Sequence, residues 1–161
     1  MGVKTVMVTG DNPLKGETVS VNSKVVGYAN IGQKFTDHKY FQGRPSAVDY
    51  NAAGSAGGNK APYNPSYIQV VKDRANSFLV HNPGITRAQI PAERVTASGN
   101  GLYPHISPAA AFIQVKRVAA TRNINVDSLI NLVKSHVNKS MFGPATVNVL
   151  KLNIELDQLK K

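Results

Sequence analysis

The chain has 161 residues, 42% of them hydrophobic and 17% charged, which is enough for one domain with a real core and too few for two full-sized ones. Nineteen Lys and Arg against nine Asp and Glu give a formal net charge of +10, so nucleic acid, anionic membrane and acidic proteins are the partner classes that charge alone raises. The absence of Cys excludes disulfide scaffolds, thiolate zinc sites, iron–sulfur clusters and cysteine nucleophiles together. No stretch approaches the ~20 apolar residues of a bilayer span, and the N-terminus lacks the apolar run of a secretory signal. As written, the sequence reads as a soluble domain.

Residues 3–9 (V-K-T-V-M-V-T) are rich in β-branched side chains and stop at Gly10-Asp11-Asn12-Pro13, the pattern of a short buried strand entering a turn. A hairpin follows, its arms at residues 18–21 and 25–31 flanking Asn22-Ser23, and Gly27 in the second arm predicts a bulge or a close backbone approach. Residues 36–50 show no sustained period and read as structured loop, and residues 51–64 are linker-like in their Ala, Gly, Ser and Asn content. Asn64-Pro65 supplies an N-cap and a first-turn proline for a helix with Tyr67, Val71, Ala75 and Phe78 on one face, ended by Asn82-Pro83-Gly84. A short strand is expected around Val95-Thr96, then a turn at Ser98-Gly99-Asn100-Gly101. Ser107-Pro108 caps a second helix, with Ala111, Phe112, Val115, Val118 and Ala119 along one face, and Asn125 opens a third with Leu129, Val133 and Val137 inward. Between Thr146 and Leu156 the apolar phase slips by one residue, which a strand turning into helix near Lys151 explains. The expectation is a single α+β domain with three helices and a small mixed sheet.

Few catalytic motifs survive a mechanistic test. Residues 10–17 (G-D-N-P-L-K-G-E) place Lys15 and Gly16 in the wrong order for a phosphate-cradling loop, and Pro13 removes an amide. Gly99-Asn100-Gly101 fails the dinucleotide fingerprint because Pro104 takes the third glycine position. His38, His81, His105 and His136 lack metal-ligand spacing. A hydrolase using His105 and a nearby Ser stands as the enzyme alternative, since triads assemble from distant positions. The basic residues are spread almost evenly, which reads as a solvated surface and not as a nucleic-acid module with interleaved stacking aromatics. A freestanding basic domain on anionic lipid or nucleic acid is the binding-class alternative.

Two clusters are explained neither by propensity nor by packing. One runs from Tyr40, Phe41, Gly43, Arg44, Pro45 and Ser46 into a glycine-rich stretch with Ser55, Gly58 and Asn59; the other holds Ser98, Gly99, Pro104, His105 and Ser107. Each joins aromatic anchors, special-geometry Gly or Pro, and short polar side chains that satisfy backbone groups locally. They read either as ordered loops held by their own hydrogen bonds or as a recognition surface for a partner protein. Arg44 serves as partner anchor in the second reading and as a clamp on its own loop in the first.

At these clusters the sequence resembles the C subunit of the Kdp potassium-transporting ATPase, the KdpC family. The resemblance rests on K-V-V-G at 24–27, I-G-Q-K-F-T at 31–36, Y-F-Q-G-R-P-S-A at 40–47, A-A-G-S-A-G-G-N at 52–59, V-T-A-S-G at 95–99, P-H-I-S-P-A-A-A at 104–111 and V-N-V-L-K-L-N-I-E-L-D at 147–157, all in register from about residue 20 onward. It implies a non-enzymatic accessory subunit of a P-type pump, with a channel-like A subunit and an ATPase B subunit as partners. It further implies a domain on the extracytoplasmic face, membrane attachment through an N-terminal helix, and roles in assembly and as a catalytic chaperone for ATP binding. ATP and potassium then belong to the complex, and no tightly bound cofactor or nucleic acid is expected in this chain. Gln114 is the candidate for a nucleotide-linked role, against a buried amide that caps a neighbouring loop.

Three departures from the family pattern stand out. Residues 1–19 are set apart as an atypical segment replacing the family's membrane helix, with T-G-D-N-P at 9–13 similar to a stretch of the pumping subunit; the accessory domain then covers 20–161. Tyr103 stands where the family usually has Asp, and residues 137–144 are shorter than in many relatives. With its carriers dispersed, the +10 charge fits acidic surfaces of partner subunits or lipid headgroups.

Overall fold

The computed structural model describes residues 17–51, 60–61, 63–141 and 143–159. The strand expected at 3–9, its turn at 10–13, and Ser55, Gly58 and Asn59 lie outside the described residues.

Strands β1 (Thr18–Val21) and β2 (Lys24–Tyr28) form the expected hairpin. Asn22 and Ser23 both take left-handed backbone (φ 49° and 63°), the turn whose twist matches that of paired strands. Pairing steps from Val19 opposite Gly27 to Ser20 opposite Val25, so Val26 is the extra residue of a bulge and turns into the core. A Cβ on Gly27 would also sit 1.9 Å from Gln33 Nε2, so this glycine serves the bulge and a close approach at once.

Helix α1 (Pro65–His81) begins where Asn64 Oδ1 accepts the N–H groups of Ser66 and Tyr67, and it buries Ala75 and Phe78. Two short 3-10 turns follow, Arg87–Gln89 and Ala92–Arg94. The strand expected at Val95-Thr96 does not form. The N–H groups of both residues, and the Thr96 hydroxyl, fold back onto the Ala92 carbonyl, which leaves no donors for a ladder.

The predicted helix after Ser107 is broken in two, α2 (Pro108–Phe112) and α3 (Val115–Arg122). Its Gln114 side chain causes the break: Nε2 donates to the Ala110 carbonyl at 2.8 Å, the acceptor that the Gln114 N–H would use in a continuous helix, and that N–H bonds to Ala111 instead. Asn123, left-handed at φ 54°, closes α3 while the Ile124 N–H reaches Ala119 O. Asn125 caps α4 (Val126–Ser135) as its sequence position predicts.

The phase slip near the C-terminus is a strand passing directly into a helix. β5 (Thr146–Asn148) lies between β3 (His105–Ile106) and β4 (Val137–Asn138), and α5 (Val149–Gln158) starts two residues before Lys151. Asn148 makes the switch, its Oδ1 capping the Lys151 N–H while Nδ2 donates to Ala29 O. The described residues thus carry five helices and two sheets, both antiparallel, in place of the expected three helices and one mixed sheet. The α+β single-domain class holds. α2–α5 pack around Val118, Leu129, Val133, Leu152 and Leu156, with Ile106 and Val147 from the sheet and Phe41 from the loop before α1. Among the described residues no helix is long and apolar enough to cross a membrane.

Candidate functional site

The segment at residues 38–46 has no helix or strand of its own, so its backbone groups need partners from elsewhere. Four side chains supply them. Asn153 on α5 pairs with Phe41 at both positions, Oδ1 accepting its N–H at 2.9 Å and Nδ2 donating to its carbonyl at 2.8 Å. Gln114 treats Gln42 the same way, accepting from its N–H at 2.9 Å and donating to its carbonyl at 3.2 Å. Arg117 donates to the carbonyls of His38 and Tyr40, to Gln114 Oε1 and to Asn82 Oδ1. Arg94 donates to the carbonyls of Gln42 and Gly43. Asn153 and Gln114 are fully buried; Arg94 and Arg117 are 7% and 6% exposed.

The two arginines are held at a cost. Burial lowers the pKa of each to about 10, and the nearby Arg117 charge adds to the effect on Arg94. Both remain charged at neutral pH, and no carboxylate forms an ion pair with either among the described residues. Backbone carbonyls and side-chain amides are their hydrogen-bond acceptors.

This network joins the two sequence clusters. Ser98 donates its N–H to Pro45 O at 3.0 Å, and Arg44 Nη2 reaches Ala97 O at 3.3 Å, so Arg44 bonds to the other loop and not, as the clamp reading had it, to its own. Ser46 Oγ accepts from Val48 and Tyr50, and the Tyr50 hydroxyl donates to Arg44 O. Burial raises the Tyr50 pKa to about 12, which keeps that donor protonated. Gly43 lies directly under this hydroxyl, 2.6 Å from where a Cβ would stand. Residues Gly43 to Ser46 then form one wall of a cleft of about 570 Å³ whose opposite wall is α1, through Arg74, Ser77, Phe78 and His81.

Several other predicted site residues face inward. Tyr40 donates its hydroxyl to Asp157 Oδ2 at 3.0 Å, and Asp157 also pairs with Arg122 at 2.8 Å, so burial and the carboxylate together raise the Tyr40 pKa to about 12. Phe41 is wholly buried, and Pro104 is buried with its carbonyl accepting from Val149. Ser107 Oγ caps the Ala110 N–H at 3.1 Å, and its own N–H donates to Glu93. Gly99 lies in open space.

His105 is half-buried on β3, edge-on to Tyr103 at 5.5 Å, and burial and then the Lys151 charge hold its pKa below the ordinary imidazole value. An unfolded chain therefore takes up this proton first as pH falls. The stability that neutral His105 contributes is present above about pH 6.5 and is lost as pH drops through its folded value. Urea unfolding midpoints should decline between pH 7 and pH 5, and His105→Gln should flatten that decline; an unchanged slope would exclude His105 as its source.

Reading the basic residues as a uniformly solvated surface is corrected here, because Arg94 and Arg117 form the interior of the site. Arg117 carried a signal: it falls among the inward positions of its helix, between Val115 and Val118 and three residues after the buried Gln114. Asn153 likewise interrupts the apolar run of α5. Arg94 and Asn82 carried none, since the carbonyls to which Arg94 donates lie in a loop of no regular period and the Arg117 that donates to Asn82 lies 35 residues away.

Comparison with known proteins adds the family. The sequence profile described as "K+-transporting ATPase, c chain" (KdpC) matches residues 5–158, a span that also takes in most of the first nineteen residues. A potassium-transporting ATPase KdpC subunit of Flavobacterium psychrophilum is 56% identical over 150 residues, covering 92% of this chain and 82% of that protein. Those of Bacteroides fragilis and Caldanaerobacter subterraneus are 50% and 47% identical, covering 95% and 91% of this chain and 83% and 78% of theirs. With a match of this extent, the chain belongs to the KdpC family of potassium-transporting ATPase c chains.

Proposed function

We propose that this chain is the non-catalytic accessory subunit of an ATP-driven potassium uptake pump, and that it acts by docking on the channel-like A and ATPase B subunits to stabilise their assembly. The observation that carries this reading is the family match over residues 5–158. The geometry supports it: the paired loops are fixed from behind by buried side chains, which presents a preorganised surface and lowers the entropy lost on docking. We place the domain on the extracytoplasmic face, with attachment through a membrane helix. ATP and potassium are handled by the complex.

Gln114 bears on the chaperone role. All its polar atoms are occupied inside the domain, so any effect on ATP affinity of the pumping subunit runs through the docked surface and not through nucleotide contact at this residue. The test is expression with the A and B subunits, the chain preceded by a membrane-anchoring helix, in cells lacking other high-affinity potassium uptake. The chain should co-purify with both subunits and restore growth at limiting potassium. A folded chain that does neither overturns the proposal.

A further inference from the structure

The cleft between α1 and residues 34–50 is lined by four cations, Lys34, Arg44, Arg74 and Arg94, and by one carboxylate, Asp49. Asp49 is taken by Lys34 at 2.6 Å. The three guanidinium groups have no anionic partner among the described residues: Arg74 donates to Val95 O, Arg44 to Ala97 O, and Arg94 to Gln42 and Gly43. Two of them, Arg44 and Arg94, also keep a buried Nε–H with no acceptor. Partial charges on carbonyls offset a buried cation incompletely, so the cleft holds an excess of positive charge in a partly desolvated place.

We propose that this cleft is the receptor for a carboxylate-bearing segment, an Asp- or Glu-containing loop, of a partner subunit of the pump. The inference rests on the docking function above and names the chemistry of the contact. Charge complementarity selects an anion, and the planar fork of Arg74 or Arg44 matches a carboxylate. Size selects a chain segment over a free ion, because a single inorganic anion leaves most of the roughly 570 Å³ unfilled. Phe35 and Phe78 add apolar wall for the aliphatic stem of such a side chain, and Arg94 already stacks on Phe78 at 5.2 Å.

The assembled pump is the material for the test. Ser77, exposed on the α1 wall of the cleft, is replaced by p-benzoylphenylalanine, with Met141, 87% exposed and not among the residues lining the cleft, as the control position. Irradiation from position 77 should yield a crosslink to an A- or B-subunit peptide that contains Asp or Glu, and position 141 should not yield that peptide. Lys34→Glu and Arg74→Glu should each weaken retention of the chain at low salt by about tenfold or more, with the thermal unfolding of each variant measured alongside to separate loss of the contact from loss of the fold. A crosslink to a peptide without acidic residues, to a second copy of this chain or to nothing, while the chain still co-purifies, overturns this inference and leaves the docking function standing. Retention unaffected by both charge reversals overturns it equally. Failure to co-purify at all overturns both.

Discussion

Replacing Arg117 by Met should lower the stability of the domain by about 3 kcal/mol, because four acceptors lose their donor at once and three of them, Tyr40 O, Gln114 Oε1 and Asn82 Oδ1, accept from it in buried positions. For a chain of this size that is a fall of roughly 6–12 °C in the unfolding midpoint. Removing a buried charge works in the opposite direction, since it relieves the desolvation that presses the Arg117 pKa down to about 10 and the repulsion felt by Arg94. The acceptors win, because a thioether cannot replace even one of the lost bonds. A melting curve superimposable on that of the unaltered protein would show that Arg117 is held by its aliphatic stem and not by its guanidinium.

Asn153→Leu should cost about the same, near 3 kcal/mol, for a different reason. Leucine fills the space but leaves both the N–H and the carbonyl of the wholly buried Phe41 without partners. The loss is concentrated in one segment, so amide hydrogen exchange at Phe41 should accelerate by well over the roughly hundredfold that about 3 kcal/mol of global destabilisation allows, while exchange in α4 at Leu129 and Val133 should stay within that factor. Uniform acceleration across the domain would show that residues 38–46 are not a separate cooperative unit.

Much of the fold was legible because its signals are local. Asn64-Pro65, Ser107-Pro108 and Asn125 each announce a helix start within three residues, and the structure places helices at all three. The Asn22-Ser23 hairpin and the strand-to-helix passage near Lys151 are equally local, one a turn and the other a change of period. What could not be read depends on partners remote in sequence. Val95 and Thr96 have strand-like side chains, yet their donors go to Ala92, a choice fixed by where Arg94 must sit to reach Gln42 and Gly43. The break at Gln114 follows from a side chain bonding backward to Ala110 while also capping a loop 72 residues earlier. The motif loops were visible as clusters, but their joining was not, because Ser98 meets Pro45 only once the domain has closed.

The anchoring of residues 40–41 also orders events in time. Phe41 is fixed by Asn153, 112 positions later, and the Tyr40 hydroxyl by Asp157, 117 positions later. Pairings of such separation raise the contact order and are late steps in folding. As the chain leaves the ribosome, the segment at 38–46 stays without these partners until the C-terminal helix has emerged, whatever the hairpin and α1 have already achieved. The surface proposed for docking is therefore completed last, and a chain cut short by even its final dozen residues would be synthesised almost whole yet never present that surface.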